Sequence, residues 1–352
     1  MFVVKDDMIK MKKQFGKIMK DSREAAKLDH CIYCQKPLTS FCNSHSVPQF
    51  VLRNITENGY ISYYNKLTQV PLIKMEQGIN EAGTFRLLCN ECDKELFKNY
   101  EDKTLITEYP TNRMLAEIAM KNILLQIYQR LLELQINNYI PEIGFLDDYK
   151  FLSQQVKDLD LRDYFWSLKR TRKIIDKNLK SGFKVMFWNK MDYVMPIAIQ
   201  KAITLPSDLN GFVINDIYNH SPDIKMQDLH LCIFPLEKET VVVVFYHKDD
   251  RNYENFSKQF NRLSLDEKLK LLNYIIFKYT DAYFISNEVA NEVNKNENLL
   301  KVSKETDIAI AFSQDGVNKH KDVVRGEVRR YKEIDIPNLL SEKFALEKKR
   351  TT

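Results

Sequence analysis

The sequence predicts an α+β protein in which a small zinc-bound module precedes a larger domain of mixed helices and antiparallel strands. Three patterns support this fold class. Two Cys-x2-Cys pairs, at residues 31–34 and 89–92, supply four thiolates, which is the ligand number of a tetrahedral structural zinc site. A long apolar segment follows residue 111, and two β-rich runs between residues 229 and 247 flank a short loop, as in an antiparallel hairpin.

The composition is that of an ordinary globular chain. Of its 352 residues, 44% are hydrophobic and 29% are charged. The longest apolar runs are far shorter than the roughly 20 residues that a membrane-spanning helix requires, and the N-terminal segment lacks the pattern of a secretory signal. We therefore expect a cytoplasmic protein with no membrane partner, whose paired cysteines bind metal rather than form disulfides.

The first predicted element is a basic amphipathic helix within residues 1–28. These residues hold eight Lys/Arg against four Asp/Glu, and residues 317–352, which we interpret as a charged tail, hold ten against six. Basic ends suit contact with nucleic-acid phosphates, although solvated helix faces would give the same pattern. Lys12 and Lys13 are the candidate contacts in the first helix.

The second predicted element is the zinc module, over residues 29–105. The gap between the two cysteine pairs is longer than in a compact zinc ribbon, so we expect a β-hairpin within it. The second pair lies in "LLCNECDKELF", which predicts a knuckle that opens a helix. Cys42 and Cys232 lack a partner at metal-ligand spacing, and we interpret both as small core residues. The predicted zinc ligands are Cys31, Cys34, Cys89 and Cys92.

The third predicted element is an α+β domain over residues 106–316. Its long first helix is expected to begin near Thr111 or Asn112, either of which could be the N-cap. Residues 145–180 are expected to be helical, and Ser264-x-x-Glu267 predicts a capping box that opens another helix. Strands are expected before and within the hairpin, at residues 183–189, 195–203, 211–218 and 229–247.

A compact basic cluster, "KRTRK", lies within the helical segment. Its cations are weak candidates for contact with a nucleic-acid backbone, and a solvated helix face is the alternative. His230 and His247 fall in the β-rich region, where we interpret them as packing or rim residues. The candidate nucleic-acid contacts of the cluster are Lys169, Arg170, Arg172 and Lys173.

The cysteine-rich segment resembles the HNH, or ββα-metal, endonucleases over about residues 29–102. The resemblance depends on Cys-x2-Cys, on His45 followed by a hydrophobic-Pro pair, and on Leu-Cys-x2-Cys with a polar residue opening a helix. It implies a treble-clef ββα fold around structural zinc and hydrolysis of nucleic-acid phosphodiesters, with DNA favoured over RNA. By position, it implies that His45 is the general base that activates water and that Asp93 helps to hold a catalytic magnesium or manganese ion.

Two departures from the family pattern concern the metal and the base. Ser44 stands where the family often has an acidic or histidine ligand. Glu101 is a candidate replacement, although it would lie about 12 Å from Asp93 along a continuous helix. The hairpin asparagine that orients the catalytic histidine in the family is not assigned, and the alternatives are Asn54, Asn65 and Asn80.

The sequence leaves other interpretations open. A histidine near a zinc knuckle is often a hydrogen-bonded neighbour of the site, and Asp93 is also a favourable charge in the first turn of a helix. The main hypothesis is an HNH-like nuclease that residues 106–352 regulate or target, in a setting that the resemblance suggests is bacterial defence or toxin action. The alternative is a zinc-stabilised protein that binds nucleic acid or protein without cleaving it. An unrecognised enzyme in the C-terminal part, a regulatory protein partner and a homo-oligomer are also left open.

Overall fold

A computed structural model describes residues 5–38, 40–65, 76–137, 147–219, 221–280, 282–304 and 328–347. The helices are α1 (Lys5–Ala25), α2 (Gln49–Leu52), α3 (Asn90–Phe97), α4 (Asn112–Asn137), α5 (Asp147–Asp176), α6 (Tyr253–Asn261), α7 (Leu265–Tyr279), α8 (Asn287–Lys295) and α9 (Glu297–Lys304). The strands are β1 (Ser44–His45), β2 (Tyr60–Asn65), β3 (Glu76–Gly78), β4 (Thr84–Phe85), β5 (Phe183–Met191), β6 (Ile197–Ile203), β7 (Leu229–Pro235), β8 (Thr240–His247) and β9 (Ala282–Ile285).

The strands form two antiparallel sheets. Seven of the described strands make the larger sheet, in the order β3-β2-β9-β6-β7-β8-β5. The smaller sheet pairs β1 with β4, so that His45 lies opposite Thr84. The predicted α+β class with antiparallel strands is therefore confirmed.

The larger sheet is buried on both faces. Along β8, Val242 and Val244 belong to a core shared with α6 and α7, whereas Val241 and Val243 belong to a core shared with α4 and the cysteine-rich segment. This alternation is the two-residue period of a strand, whose successive side chains point to opposite faces. One face of the sheet therefore packs on α4 and on much of the cysteine-rich segment, and the other face packs on α6 and α7.

Several local predictions are confirmed because they depend on short-range chemistry. Thr111 is the cap of α4, since its Oγ1 accepts the amide hydrogen of Met114 at 3.2 Å. Ser264 and Glu267 form the expected capping box at the start of α7. The expected hairpin is β7–β8, and the expected helix after the second knuckle is α3.

Two expectations differ from the structure. Residues 211–218 do not form a strand: Asp208 accepts the amide hydrogens of Asn210 and Phe212, both at 2.9 Å, and this side-chain bonding favours a turn over a strand ladder. Residues 328–347, which lie within the predicted charged tail, bury apolar side chains in the core beside α7. These buried residues are Val328, Tyr331, Ile336, Leu339 and Leu340.

The residues on the two sides of the predicted domain boundary at residue 105 pack against each other. Strand β2 of the cysteine-rich segment pairs with β9, with Ser62 opposite Ile285, and Tyr63 stacks on Phe284 at 4.7 Å between ring centroids. Helix α4 packs against both α1 and α3. The division into domains stays a prediction, and the larger sheet contains strands from both sides of the predicted boundary.

Across the described ranges, we find no helix with the length and apolarity needed to cross a bilayer.

Candidate metal centre and adjacent polar site

The four paired cysteines converge on one point. Their Sγ atoms all lie within 4.8 Å of one another, and those of Cys34 and Cys89 are 3.9 Å apart. Four thiolates bound to a tetrahedral zinc at about 2.3 Å stand about 3.8 Å apart. The cluster therefore fits a tetrahedral ion such as zinc, as the spacing predicts.

Each knuckle has local features that form it. In the first, the amide of Gln35 donates to the carbonyl of Cys31 at 2.9 Å, and Gln35 adopts a left-handed φ of 61°, which closes the tight turn. In the second, Cys89 is the N-cap of α3, and its Sγ accepts the amide hydrogen of Cys92 at 3.4 Å. The two ligands of the second knuckle, Cys89 and Cys92, thus lie at the start of α3.

The thiols differ in how easily they ionise. The backbone amide of Lys36 lowers the pKa of Cys34 to about 7, whereas burial raises the pKa of Cys31 and of Cys92. Metal ligation requires thiolates, so protons compete with the ion. Affinity for the ion is therefore expected to fall as the pH falls.

His45 is held by a backbone carbonyl. Its Nε2 lies 3.0 Å from the carbonyl oxygen of Ile79. Because a carbonyl oxygen can only accept, Nε2 carries the proton and Nδ1 of the neutral ring keeps a lone pair. Burial lowers the pKa of His45, so the ring is neutral at pH 7. Nδ1 can therefore accept a proton.

The three candidate asparagines have different positions. Asn80 directly follows Ile79, and its side-chain oxygen accepts from Gln49 at 2.7 Å. Asn54 donates to the distant carbonyl of Pro235 at 2.9 Å. The side chain of Asn65 lies outside the described residues. Of the two described side chains, that of Asn80 is adjacent to the carbonyl that holds His45.

The Ser44 side chain is hydrogen-bonded to the Asp93 carboxylate. Its Oγ donates to Oδ1 of Asp93 at 2.6 Å, and Ser44 is 1% exposed. This bond joins β1 to the first turn of α3. Cys42 lies beside the pair, where burial raises the pKa of its thiol to about 11. Ser44 therefore orients the Asp93 carboxylate and is not itself a charged ligand.

Glu101 lies beyond the helix that was expected to carry it. Helix α3 ends at Phe97, and the amide of Glu101 donates to the carbonyl of Phe97 at 3.0 Å in the following turn. The Glu101 carboxylate forms an ion pair with Lys121 and accepts a hydrogen bond from Tyr100 at 3.1 Å. An ammonium group thus already balances the charge of this carboxylate.

Lys121 and Glu117 are site residues that the sequence interpretation missed. Lys121 is 2% exposed, and its Nζ lies 4.0 Å from the centroid of the Phe97 ring. Glu117 is fully buried and accepts the backbone amides of Asn99 and Tyr100, both at 3.1 Å. The sequence signal for these two residues was the presence of charged residues within the otherwise apolar α4, because a charged side chain that is buried requires a partner of opposite charge.

The polar groups around His45 share one region but do not form a closed metal cage. Lys121 lowers the pKa of His45, and Glu101 and Asp93 raise it, although burial has the larger effect. Throughout the described ranges, the four-cysteine group alone brings three or more cysteine, histidine or carboxylate ligand atoms within 4.8 Å. Asp93 can therefore contribute oxygen ligands to a hydrated ion, which would complete its shell with water and substrate.

The basic cluster on α5 divides into two pairs. Arg170 forms a bidentate pair with Asp250 at 2.6 and 2.7 Å, and Arg172 donates to the backbone oxygen of Tyr33 at 2.8 Å. Lys169 and Lys173 are exposed. The two arginines thus have structural contacts, and the two lysines face solvent.

The remaining candidates differ in what is described. Lys13 on α1 is exposed, and the side chain of Lys12 lies outside the described residues. Burial lowers the pKa of His230 to about 3 and that of His247 to about 4, so both rings are neutral packing groups. Cys232 is fully buried in the core, as expected, and Cys42 is half-buried.

The Lys121–Glu101 pair gives a stability prediction. Breaking a buried ion pair costs about 3–5 kcal/mol, and water around the partly exposed Glu101 reduces the expected loss for Lys121→Met to about 2 kcal/mol. The free energy of unfolding would be measured by urea denaturation. The double variant Lys121→Met/Glu101→Gln is expected to recover about half of the loss, since no carboxylate is left unpaired. A double variant as unstable as the sum of the single variants would contradict the pairing.

Comparison of the chain with protein-family models, with curated proteins and with solved structures finds no match in any of the three.

Proposed function

We propose that the chain is a metal-dependent, HNH-like endonuclease that hydrolyses nucleic-acid phosphodiesters, with DNA favoured. One observation carries the proposal. Ser44, the residue before His45 on β1, donates a hydrogen bond to Asp93 in the first turn of α3, whose start carries the cysteines of the second knuckle. Two antiparallel strands followed by a helix, with a histidine on the first strand and an oxygen ligand on the helix, is the arrangement that the family resemblance implies.

The chemistry of the site supports hydrolysis. The unprotonated Nδ1 of His45 is suited to take a proton from water, and the Ile79 carbonyl keeps the ring in that tautomer. Asp93 would hold magnesium or manganese, which when bound neutralises charge on the phosphate and on the leaving oxygen. Lys121 balances the charge of Glu101, so we assign to Glu101 the role of holding the Lys121 side chain in place. Glu101 would bind the metal only where substrate displaces the Lys121 ammonium group.

The C-terminal part is proposed to regulate or target the nuclease. Its sheet incorporates strand β2 of the cysteine-rich segment, so the two parts are joined by backbone hydrogen bonds as well as by the chain. A bacterial defence or toxin role fits this combination, and it rests on the family resemblance.

A non-catalytic, zinc-stabilised binding protein is the second candidate. It is favoured by the ion pair that holds Glu101, which leaves Asp93 as the one acidic group near His45 with no ion pair among the described residues. A single carboxylate is at the lower limit of what magnesium uses in proteins. The two candidates make opposite predictions about cleavage.

A cleavage assay separates them. Purified chain would be incubated with plasmid DNA and with RNA, in magnesium, in manganese and without added divalent ion. We expect cation-dependent cleavage that is stronger on DNA, and a loss of at least about 100-fold in Asp93→Ala, because this change removes the oxygen ligand.

The matched control is Glu95→Ala, which removes an exposed carboxylate of the same helix that pairs with Lys98, and it is expected to cleave like the unmodified chain. Binding of nucleic acid without cleavage in either cation would favour the second candidate. Equal activity in Asp93→Ala and Glu95→Ala would show that Asp93 is not part of the catalytic site.

A further inference from the structure

One exposed face of α5 combines aromatic and basic side chains. Residues spaced three or four apart share a helix face, and five residues of α5 follow this spacing over roughly 16 Å, at 1.5 Å per residue. We call them the α5 face. They are Arg162, Phe165, Trp166, Lys169 and Lys173.

The two rings of the α5 face are unusually accessible for their size. Phe165 is 46% exposed and Trp166 is 39% exposed. Large aromatic side chains are normally buried, so two adjacent exposed rings on an ordered helix indicate a surface that contacts another molecule. The exposed Lys169 lies one turn further along the same face.

The α5 face has a net positive charge that is available to a ligand. Among the described residues, Lys169 and Lys173 form no ion pair. Of the acidic side chains near the face, Asp176 pairs with Arg172, and Asp163 pairs with Lys225 and with Arg162 of the face itself, which leaves the charges of Lys169 and Lys173 unbalanced. The surface is therefore complementary to an anion.

Trp166 is held in place before any ligand binds. The guanidinium carbon of Arg170 lies 4.4 Å from the centroid of the Trp166 ring and Nζ of Lys225 lies 5.3 Å from it, and Asp250 fixes Arg170 through two hydrogen bonds. An ordered ring loses little conformational entropy when a base stacks on it. This favours a stacking role over a flexible apolar contact.

The C-terminal end of α5 adjoins the cysteine-rich segment. Arg172 lies over the ring of Tyr33 at 4.3 Å, and the hydroxyl of Tyr33 donates to Asp176. Tyr33 stands between the zinc-ligand candidates Cys31 and Cys34. A strand lying along the α5 face would thus be led towards the segment that carries His45.

We propose that the α5 face binds single-stranded nucleic acid, with Phe165 and Trp166 stacking on unpaired bases and Lys169 and Lys173 contacting phosphates. Combining stacking rings with a basic track is how proteins bind single strands without reading sequence. Duplex bases are already stacked and paired, so they cannot use the rings. The inference rests on the proposed nuclease function and assigns a single-stranded region to its substrate, so single-stranded DNA is added to plasmid DNA and RNA in the cleavage assays.

The test measures binding alone. The chain has two tryptophans, so Trp166 is made the single reporter by Trp188→Phe, and His45→Ala without added divalent ion prevents cleavage. We expect a dT20 oligonucleotide to quench the fluorescence of Trp166, and a hairpin duplex of the same charge to quench it little.

Affinity is then measured by anisotropy of a labelled dT20. Trp166→Ala is expected to raise the Kd about tenfold, and Trp166→Phe to restore most of the affinity, because a base stacks on either ring. The matched control is Phe212→Ala, which removes a ring that is 68% exposed in the connection between β6 and β7 and is expected to leave the Kd unchanged.

The lysines are tested by salt dependence. Lys169→Gln/Lys173→Gln is expected to reduce the slope of log K against log salt by about 1.4, at about 0.7 per phosphate contact on a single strand. Lys238→Gln, an exposed lysine in the β7–β8 loop, is expected to leave the slope unchanged.

Several results would overturn the inference. They are no binding of dT20, an equal Kd in Trp166→Ala, or a Trp166-dependent dimer in sedimentation without a response to oligonucleotide. If the chain binds dT20 through Trp166 but never cleaves nucleic acid, the binding role of the α5 face is supported and the proposed nuclease function is overturned. A chain that cleaves but binds equally well in Trp166→Ala overturns the α5 face alone.

Discussion

Replacing His45 with alanine is expected to reduce nucleic-acid cleavage by about 10²–10⁴-fold, which is the usual contribution of a general base. The variant loses the only neutral imidazole assigned to activate water beside Asp93, and it keeps the Ser44–Asp93 bond on the neighbouring residue. Initial rates on plasmid DNA at saturating magnesium would measure the effect.

The fold must be retained for this result to be interpreted. Losing the hydrogen bond to Ile79 is expected to cost about 1 kcal/mol of unfolding free energy. Metal content and the melting temperature therefore serve as controls, and a variant that is folded and metal-loaded yet fully active would contradict the role of His45.

The pH profile gives an independent check on His45. Burial lowers its pKa, so the ring stays neutral at every pH above that lowered value. Cleavage is accordingly expected to persist on the acid side to a pH below about 6.5, where an ordinary histidine becomes protonated. In His45→Ala, the residual activity is expected not to show this decrease at acid pH, because no histidine is left at the site to be protonated.

Replacing Cys89 with serine is expected to release the bound ion and to unfold the cysteine-rich segment. Structural zinc in small domains contributes about 10–16 kcal/mol to folding, and Cys89 also caps α3 through its Sγ. We expect about one equivalent of zinc in the purified chain and much less than one in Cys89→Ser, by mass spectrometry of the metal. Loss of α3 would also remove Asp93, so cleavage is expected to disappear.

Cys42→Ser is the matched control. Cys42 lies in the same segment but outside the four-sulfur cluster, so this variant is expected to retain zinc and most of its stability. Equal zinc loss in both variants would show that the ion is not held by the paired cysteines. Zinc retained at one equivalent in Cys89→Ser would lead to the same conclusion.

Features that depend on near neighbours could be predicted from the sequence. The cysteine spacing identified the sulfur cluster, and the cap at Thr111 and the box at Ser264 follow from hydrogen bonds within one helical turn. The histidine and Asp93 were identified by the order of motifs. Their roles stay predictions, and the hydrogen bond from Ser44, the residue before His45, to Asp93 came from the structure.

Features that depend on distant partners could not be predicted. The pairing of β2 with β9 joins residues more than 200 positions apart, and no local pattern specifies it. Residues 328–347 read as charged and solvated because their buried apolar side chains lie between lysines and arginines. The burial of Lys121 depends on Glu101, which lies on another element.

The hairpin β2–β3 has a consequence for communication within the molecule. Strand β3 ends at Gly78, and the next residue, Ile79, supplies the carbonyl that holds the His45 ring. A ligand or partner that displaced β9 would pull on β2 and then on β3 through successive backbone ladders. The carbonyl that holds the His45 ring is thus connected to β9 by two successive ladders of backbone hydrogen bonds, through β3 and β2.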